Sequence, residues 1–180
     1  MDELNKKMEW LNNLPQKYQL DSNDKVDAFI NGDANKVYFG PRGIGKTHML
    51  LLDLVYYLQN NSNKRLVLLS FNNMSAIMNF ELLSEMLRDI MPDDVERTIR
   101  NPIQIRLKNG SILYFLYDSN SMRGHKLDAV FLDNLDYIDD MAFQTALACT
   151  IHEEDAIFIA NQTSIQEIDK ALAIIRRNEF

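Results

Sequence analysis

The 180-residue chain has a single cysteine, Cys149, so no internal disulfide can form and nothing points to an oxidising compartment. No apolar run approaches the roughly 18 residues of a membrane-spanning helix. The longest candidate, MLLLDLVYYL, is interrupted by Asp53, and the start, MDELNKKMEW, has no apolar signal core. A soluble, cytoplasmic protein without a membrane partner is therefore expected. Positive charge is also scarce. Nineteen Lys and Arg against 26 Asp and Glu give a net charge of −7. That balance argues against a free-standing nucleic-acid binder, which needs clustered cations, although a local basic patch remains compatible with it. His48, His125 and His152 have no spacing suited to a metal site. No repeat, low-complexity stretch or linker divides the chain, and one domain over 1–180 is expected.

What is present is 46% hydrophobic sequence in a regular alternation. Leu4, Met8, Trp10, Leu11 and Leu14 form a helical stripe ending before Pro15. KVYFG (36–40) reads as a buried strand, and residues 47–61 read as a helix. KRLVLLSF (64–71) has the near-continuous apolar run of a parallel-sheet strand. A long helix over about 75–91 ends at Pro92, and a shorter one is expected before Pro102. Residues 103–118 form two β-type runs around Asn109-Gly110, a signal for a two-residue hairpin turn. DAVFLD (128–133) and DAIFIAN (155–161) are further buried strands, followed by helices near 140–150 and 164–177. Met49, Met74, Met78, Met86 and Met91 fall at helical intervals and read as core filler. The implied fold class is α/β, with a mostly parallel sheet, helices on both faces and an antiparallel hairpin near 103–118.

Gly40-Pro41-Arg42-Gly43-Ile44-Gly45-Lys46-Thr47 fits G-x-x-x-x-G-K-[ST] at every fixed position, between a strand and a helix. In such a loop, glycines let backbone N–H groups converge on phosphates, and the helix that follows aims its positive end at the same charge. Lys46 would reach the β- and γ-phosphates of ATP, and Thr47 would offer a hydroxyl to Mg²⁺, with His48 next in line. Asp133, at the end of AVFLD, would hold the metal with Thr47. In ATPases with an added central strand, the next residue is a Glu that polarises the attacking water. Here it is Asn134, whose amide can orient water but cannot take its proton. Asp136 is the candidate substitute, and Asp139 and Asp140 read as helix caps. Arg123 is left open between nucleotide or subunit contact and pairing with Asp118 or Asp128. Arg176 and Arg177 read as solvated or dipole-stabilising residues at a helix end.

Residues 105–138 resemble the ATPase domain of the terminase large subunit, the motor that packages viral DNA. Asn109-Gly110-Ser111, Arg123-Gly124 and the strand carrying Asp128 to Asp133 stand in that family's order. Arg42 matches an arginine characteristic of its phosphate loop, and KYQ (17–19) resembles its adenine-contacting segment, which implies that role for Gln19. The resemblance implies a P-loop fold of the added-strand type, an ATP- and Mg²⁺-dependent motor working as a homo-oligomeric ring on double-stranded DNA, and partners in a portal protein and a small terminase subunit. It implies Lys46, Arg42, Asp133, Asn134 and Asp136 as the catalytic set. Two departures matter: Asn134 stands where Glu is expected, and no nuclease segment follows within 180 residues. Alternative readings are a nucleotide-binding regulator or scaffold that has lost hydrolysis, and a AAA+ helicase loader. Against the last, Lys46 and Asp133 are 87 positions apart, more than that family usually shows.

Overall fold

A computed structural model describes residues 3–31, 34–150, 156–164 and 168–179. Seven strands, β1 (Lys36–Phe39), β2 (Arg65–Ser70), β3 (Val95–Arg100), β4 (Ile103–Leu107), β5 (Ile112–Leu116), β6 (Ala129–Asp133) and β7 (Ile157–Gln162), join in one sheet. Its order is β1-β7-β6-β2-β5-β4-β3. The pairs β1–β7, β7–β6, β6–β2 and β2–β5 are parallel, and β4 runs antiparallel to both β5 and β3. β7 thus lies between the strand that feeds the phosphate loop and the strand that ends in Asp133, as the added-strand class requires.

Helices α1 (Glu3–Asn12), α2 (Asn23–Ile30), α3 (Lys46–Asn60) and α4 (Asn73–Ile90) contribute to the core on one face of the sheet. Helices α5 (Ser119–Met122), α6 (Asp140–Cys149) and α7 (Ile168–Ile175) contribute to the core on the other. The strict alternation of a strand sorts side chains between the two. Leu66, Leu68, Ala129 and Phe131 face α3 and α4, whereas Val67, Leu69, Val130 and Leu132 face α6. Burial on both sides explains why β2 and β6 read as unbroken apolar runs. No described helix is long and apolar enough to cross a membrane.

α3 is buried around most of its circumference, so the carboxylate of Asp53 needs an internal partner. Lys36 on β1 supplies it at 2.8 Å, and the Tyr38 hydroxyl donates to the other oxygen. Lys36 also donates to Phe29 O on α2. The pair pins the strand before the phosphate loop to the helix after it.

Several expectations are corrected. The segment before Pro102 is β3 and not a helix: Val95 and Ile99 have helical spacing, but pairing with β4 decides the conformation. Met74 and Met78 are 66% and 64% exposed, because the buried face of α4 is Ala76, Asn79, Phe80, Leu83, Met86 and Leu87. The β4–β5 turn is longer than two residues. Gly110 N–H donates to Leu107 O and Gly110 alone takes positive φ in the turn, while the Asn109 side chain ties it to Leu58 O in the last turn of α3 and to Asn61 O just after it. α2 was not expected at all. Met49, Met86 and Met91 are core residues as read. The helix expected over 164–177 is α7 followed by a 3-10 turn, Arg176–Glu179. His152, residue 155 and residues 165–167 lie outside the described residues.

Replacing Lys36 by Met should cost about 3–5 kcal/mol in urea denaturation at neutral pH, because it strands the Asp53 carboxylate in the core. Burial already raises the Asp53 pKa. A carboxyl whose folded pKa is raised is favoured in its protonated form, so the deficit should shrink as pH falls towards the ordinary carboxylate range.

Candidate functional site

The phosphate loop leaves β1 at Gly40, whose N–H extends the ladder to Gln162 O at 3.2 Å, and enters α3 at Lys46. Gly43 and Gly45 take φ of 84° and 86°, left-handed values that cost a side-chain-bearing residue but not glycine. Lys46 Nζ donates to Gly40 O and Pro41 O, both at 2.7 Å, folding the chain across its own loop. Burial there lowers the Lys46 pKa, against the opposing pull of Asp136 and Asp133.

Asp133 is the hub. Thr47 Oγ1 donates to its Oδ1 at 3.0 Å, and Asn161 Nδ2 donates to the same oxygen at 2.7 Å. Asn79 Nδ2, from α4, donates to Oδ2 at 2.9 Å and to Ser70 Oγ at 3.0 Å. Asn161 Oδ1 in turn accepts from Asn134 N–H at 2.6 Å. Three secondary-structure elements therefore orient one buried carboxylate. Asn79 escaped the sequence reading, since an isolated Asn on a helix carries no spacing signal, and Asn161 was read only as the close of the strand DAIFIAN, with no role at Asp133.

Asn134 has φ 61°, a left-handed conformation that asparagine tolerates better than most residues. The 3-10 turn Leu135–Tyr137 follows. Both oxygens of Asp136 are engaged: Thr163 N–H donates at 2.6 Å and Ser164 N–H at 2.9 Å. Asp136 therefore braces the segment after β7. Asp139 caps α6 through Ala142 N–H, as read, and Asp140 pairs with Lys170 at 2.9 Å.

Arg42, Gly43, Gly45, Lys46, Thr47, Phe71, Asn134, Tyr137 and Thr163 line a cavity of about 540 Å³ at the C-terminal edge of the sheet. Six of the loop and strand-end positions expected from sequence meet there. Pro41 and Ile44 are exposed and do not line it, Pro41 O instead accepting from Lys46. His48 exchanges a hydrogen bond with Tyr18 O at 2.9 Å and stacks near that ring, which draws the segment before α2 to the start of α3. Gln19, next to Tyr18, is exposed and donates to Leu14 O at 3.2 Å. Arg123 is exposed. Its two candidate partners serve elsewhere, Asp118 capping α5 and Asp128 accepting from Lys64. Arg177 lies over the Phe158 ring, 4.5 Å from its centroid.

The family model "Terminase large subunit, T4likevirus-type, N-terminal" matches residues 37–168, from the strand that precedes the loop to the start of α7. The chain belongs to this family. Solved terminases share its fold. The Thermus phage P74-26 large terminase ATPase domain superposes with TM-score 0.69 at 16% identity, over 90% of this chain and 70% of that one. The HK97 bacteriophage large terminase gives 0.66 at 14% identity, over 91% of this chain and 38% of the other. The large terminase of a further thermophilic bacteriophage, in complex with ATP-gamma-S, gives 0.62 at 15% identity, over 78% and 37%. This terminase-family chain thus spans about two fifths of the length of the full large terminases it matches. No curated protein matches its sequence.

Replacing Asn79 by Leu removes the donor to both Asp133 and Ser70. Urea denaturation should show a loss of about 1–3 kcal/mol, the range for leaving buried acceptors unsatisfied.

Proposed function

We propose that this chain is the ATP-binding motor domain of a DNA-packaging terminase large subunit. The observation that carries the reading is the Thr47–Asp133 contact of 3.0 Å at the foot of a phosphate loop that itself lines a cavity of nucleotide size. A hydroxyl beside one carboxylate suits Mg²⁺, which keeps several waters and takes its remaining oxygens from phosphate. Among the described residues no cluster of three His, Cys, Asp or Glu side chains offers an all-protein cage instead. Thr47 and Asp133 would hold the ion, and when bound it would neutralise charge on the β- and γ-phosphates.

The residues of the chain then have distinct tasks. Loop N–H groups and the start of α3 receive the phosphates, and Lys46 exchanges its two loop carbonyls for phosphate oxygens. Asn79 and Asn161 keep the Asp133 carboxylate turned towards Thr47. Asn134 lines the cavity and can orient a water by hydrogen bonding. The segment at Thr163 and Ser164, held by Asp136, adjoins both cavity and sheet, and would pass the nucleotide state outwards. Gln19 and His48 would lie on the adenine side. Double-stranded DNA would be engaged by a ring of such domains, with the portal protein and small subunit as partners, in the cytoplasm of an infected host. The −7 charge suits action through an assembly.

A second reading, a terminase-like domain that binds ATP and turns it over poorly, is favoured by Asn134. Asp136 could serve as base only by releasing two backbone amides. Calorimetry and steady-state hydrolysis separate the readings. Lys46→Ala should abolish Mg-ATP binding. Asn134→Glu should raise turnover by about 10²-fold or more, the usual contribution of a positioned general base, with some loss of stability from placing Glu at positive φ. Fast turnover by the unaltered chain would defeat the second reading, and undiminished binding by Lys46→Ala would defeat both. Because burial lowers the Lys46 pKa below 10.5, affinity for Mg-ATP should start to fall at a lower alkaline pH than an ordinary lysine would give. A calorimetric titration series from neutral to alkaline pH reads this directly.

A further inference from the structure

The 3-10 turn after β6 does more than follow Asn134. It carries Tyr137 to the rim of the cavity, where the Arg42 guanidinium donates through Nη2 to the tyrosine hydroxyl at 2.7 Å. The same guanidinium lies over the ring, with Arg42 Cζ 5.7 Å from the centroid. Phe71, at the end of β2, supports that ring from another side, with centroids 5.6 Å apart and planes tilted by 47°. All three side chains line the cavity. Tyr137 and Phe71 remain 52% and 41% exposed, so this aromatic pair sits at the entrance rather than in the core.

The contact made by this surface arginine is not an ion pair. Its partner is a neutral hydroxyl and a ring face, so no carboxylate at this contact cancels the charge, and four N–H donors remain for another ligand. Arg42 also stands next to Gly43 on an exposed loop, where its long side chain would otherwise have wide rotamer freedom. Its charge reaches Lys46, whose pKa it helps to lower. Two cations therefore converge on one end of the cavity, and one of them is held from across it.

We infer that Tyr137 is a positioning residue, fixing the Arg42 guanidinium where it meets the terminal phosphate of a nucleoside triphosphate. The inference rests on the phosphate reading of the cavity given above. Tyr137 does not touch the nucleotide in this arrangement; it acts through Arg42, and Phe71 keeps its ring from turning away. The pair should discriminate triphosphate from diphosphate, because only the triphosphate extends to the guanidinium.

A double-mutant cycle tests this by calorimetry, with Mg-AMP-PNP as the triphosphate and Mg-ADP as the diphosphate. Arg42→Ala, Tyr137→Ala and their combination form the cycle, with Tyr137→Phe as the variant that keeps the ring. Tyr137→Ala should weaken AMP-PNP by about threefold to tenfold, in the lower part of the range of coupling between residues in contact, and leave ADP within about twofold. Tyr137→Phe should fall between. In the Arg42→Ala background, Tyr137→Ala should have no further effect. Melting temperatures should stay unchanged, since both side chains are exposed. Equal weakening of AMP-PNP and ADP, or an undiminished effect in the Arg42→Ala background, would overturn the inference by showing that Tyr137 acts without Arg42. An Arg42→Ala variant with an unaltered AMP-PNP to ADP ratio would remove the arginine's role as well. Failure of the cavity reading would look different, as Lys46→Ala would then leave both ligands bound.

Discussion

The site depends on how one carboxylate is held. Asp133 ends a strand buried on both faces, where an unpaired charge would be costly, and it is satisfied by three neutral donors rather than by a cation. The difference has consequences. A lysine partner would have neutralised Asp133 and closed the site. Two amides and a hydroxyl leave the negative charge available while fixing its direction. The donors come from α3, α4 and β7, so the order of strands, the second turn of α4 and the start of α3 all converge on this atom pair. A shift of any of these elements would be felt at Asp133.

The phosphate loop was legible because its requirements are local. Glycines at fixed offsets, a lysine and a hydroxyl residue all lie within eight positions, and the flanking strand and helix follow from apolar patterning. Asp133 was legible for the same reason, as an acid closing an apolar strand. Asn79 and Asn161 were not. Each is an ordinary asparagine, 54 and 28 positions from Asp133, and only the crossover connections bring them to it. Tyr137 was passed over likewise, because its partner Arg42 lies 95 positions away.

The fold divides along the same line. β1, β2, β6 and β7 announce themselves because burial on both sides demands apolar residues throughout. β3 does not, since four of its six residues are exposed and its Val95 and Ile99 mimic a helical stripe. The hairpin between β4 and β5 was found, but its turn was misjudged. Asn109 looked like a turn former and instead spends its amide on carbonyls at the end of α3, which leaves the left-handed position to Gly110 alone.

The two margins of the sheet are blunted in different ways. β1 is four residues long and begins with the buried Lys36, and β3 exposes Glu96, Arg97, Thr98 and Arg100 along its length. Short strands and rows of charge are poor templates for adding a further strand. Strand-to-strand growth, the easiest route by which sheet proteins polymerise without limit, is thus discouraged at both sides. Any contact between copies of this domain would then have to use loops and helix faces, and would leave undisturbed the ladder that carries the phosphate loop.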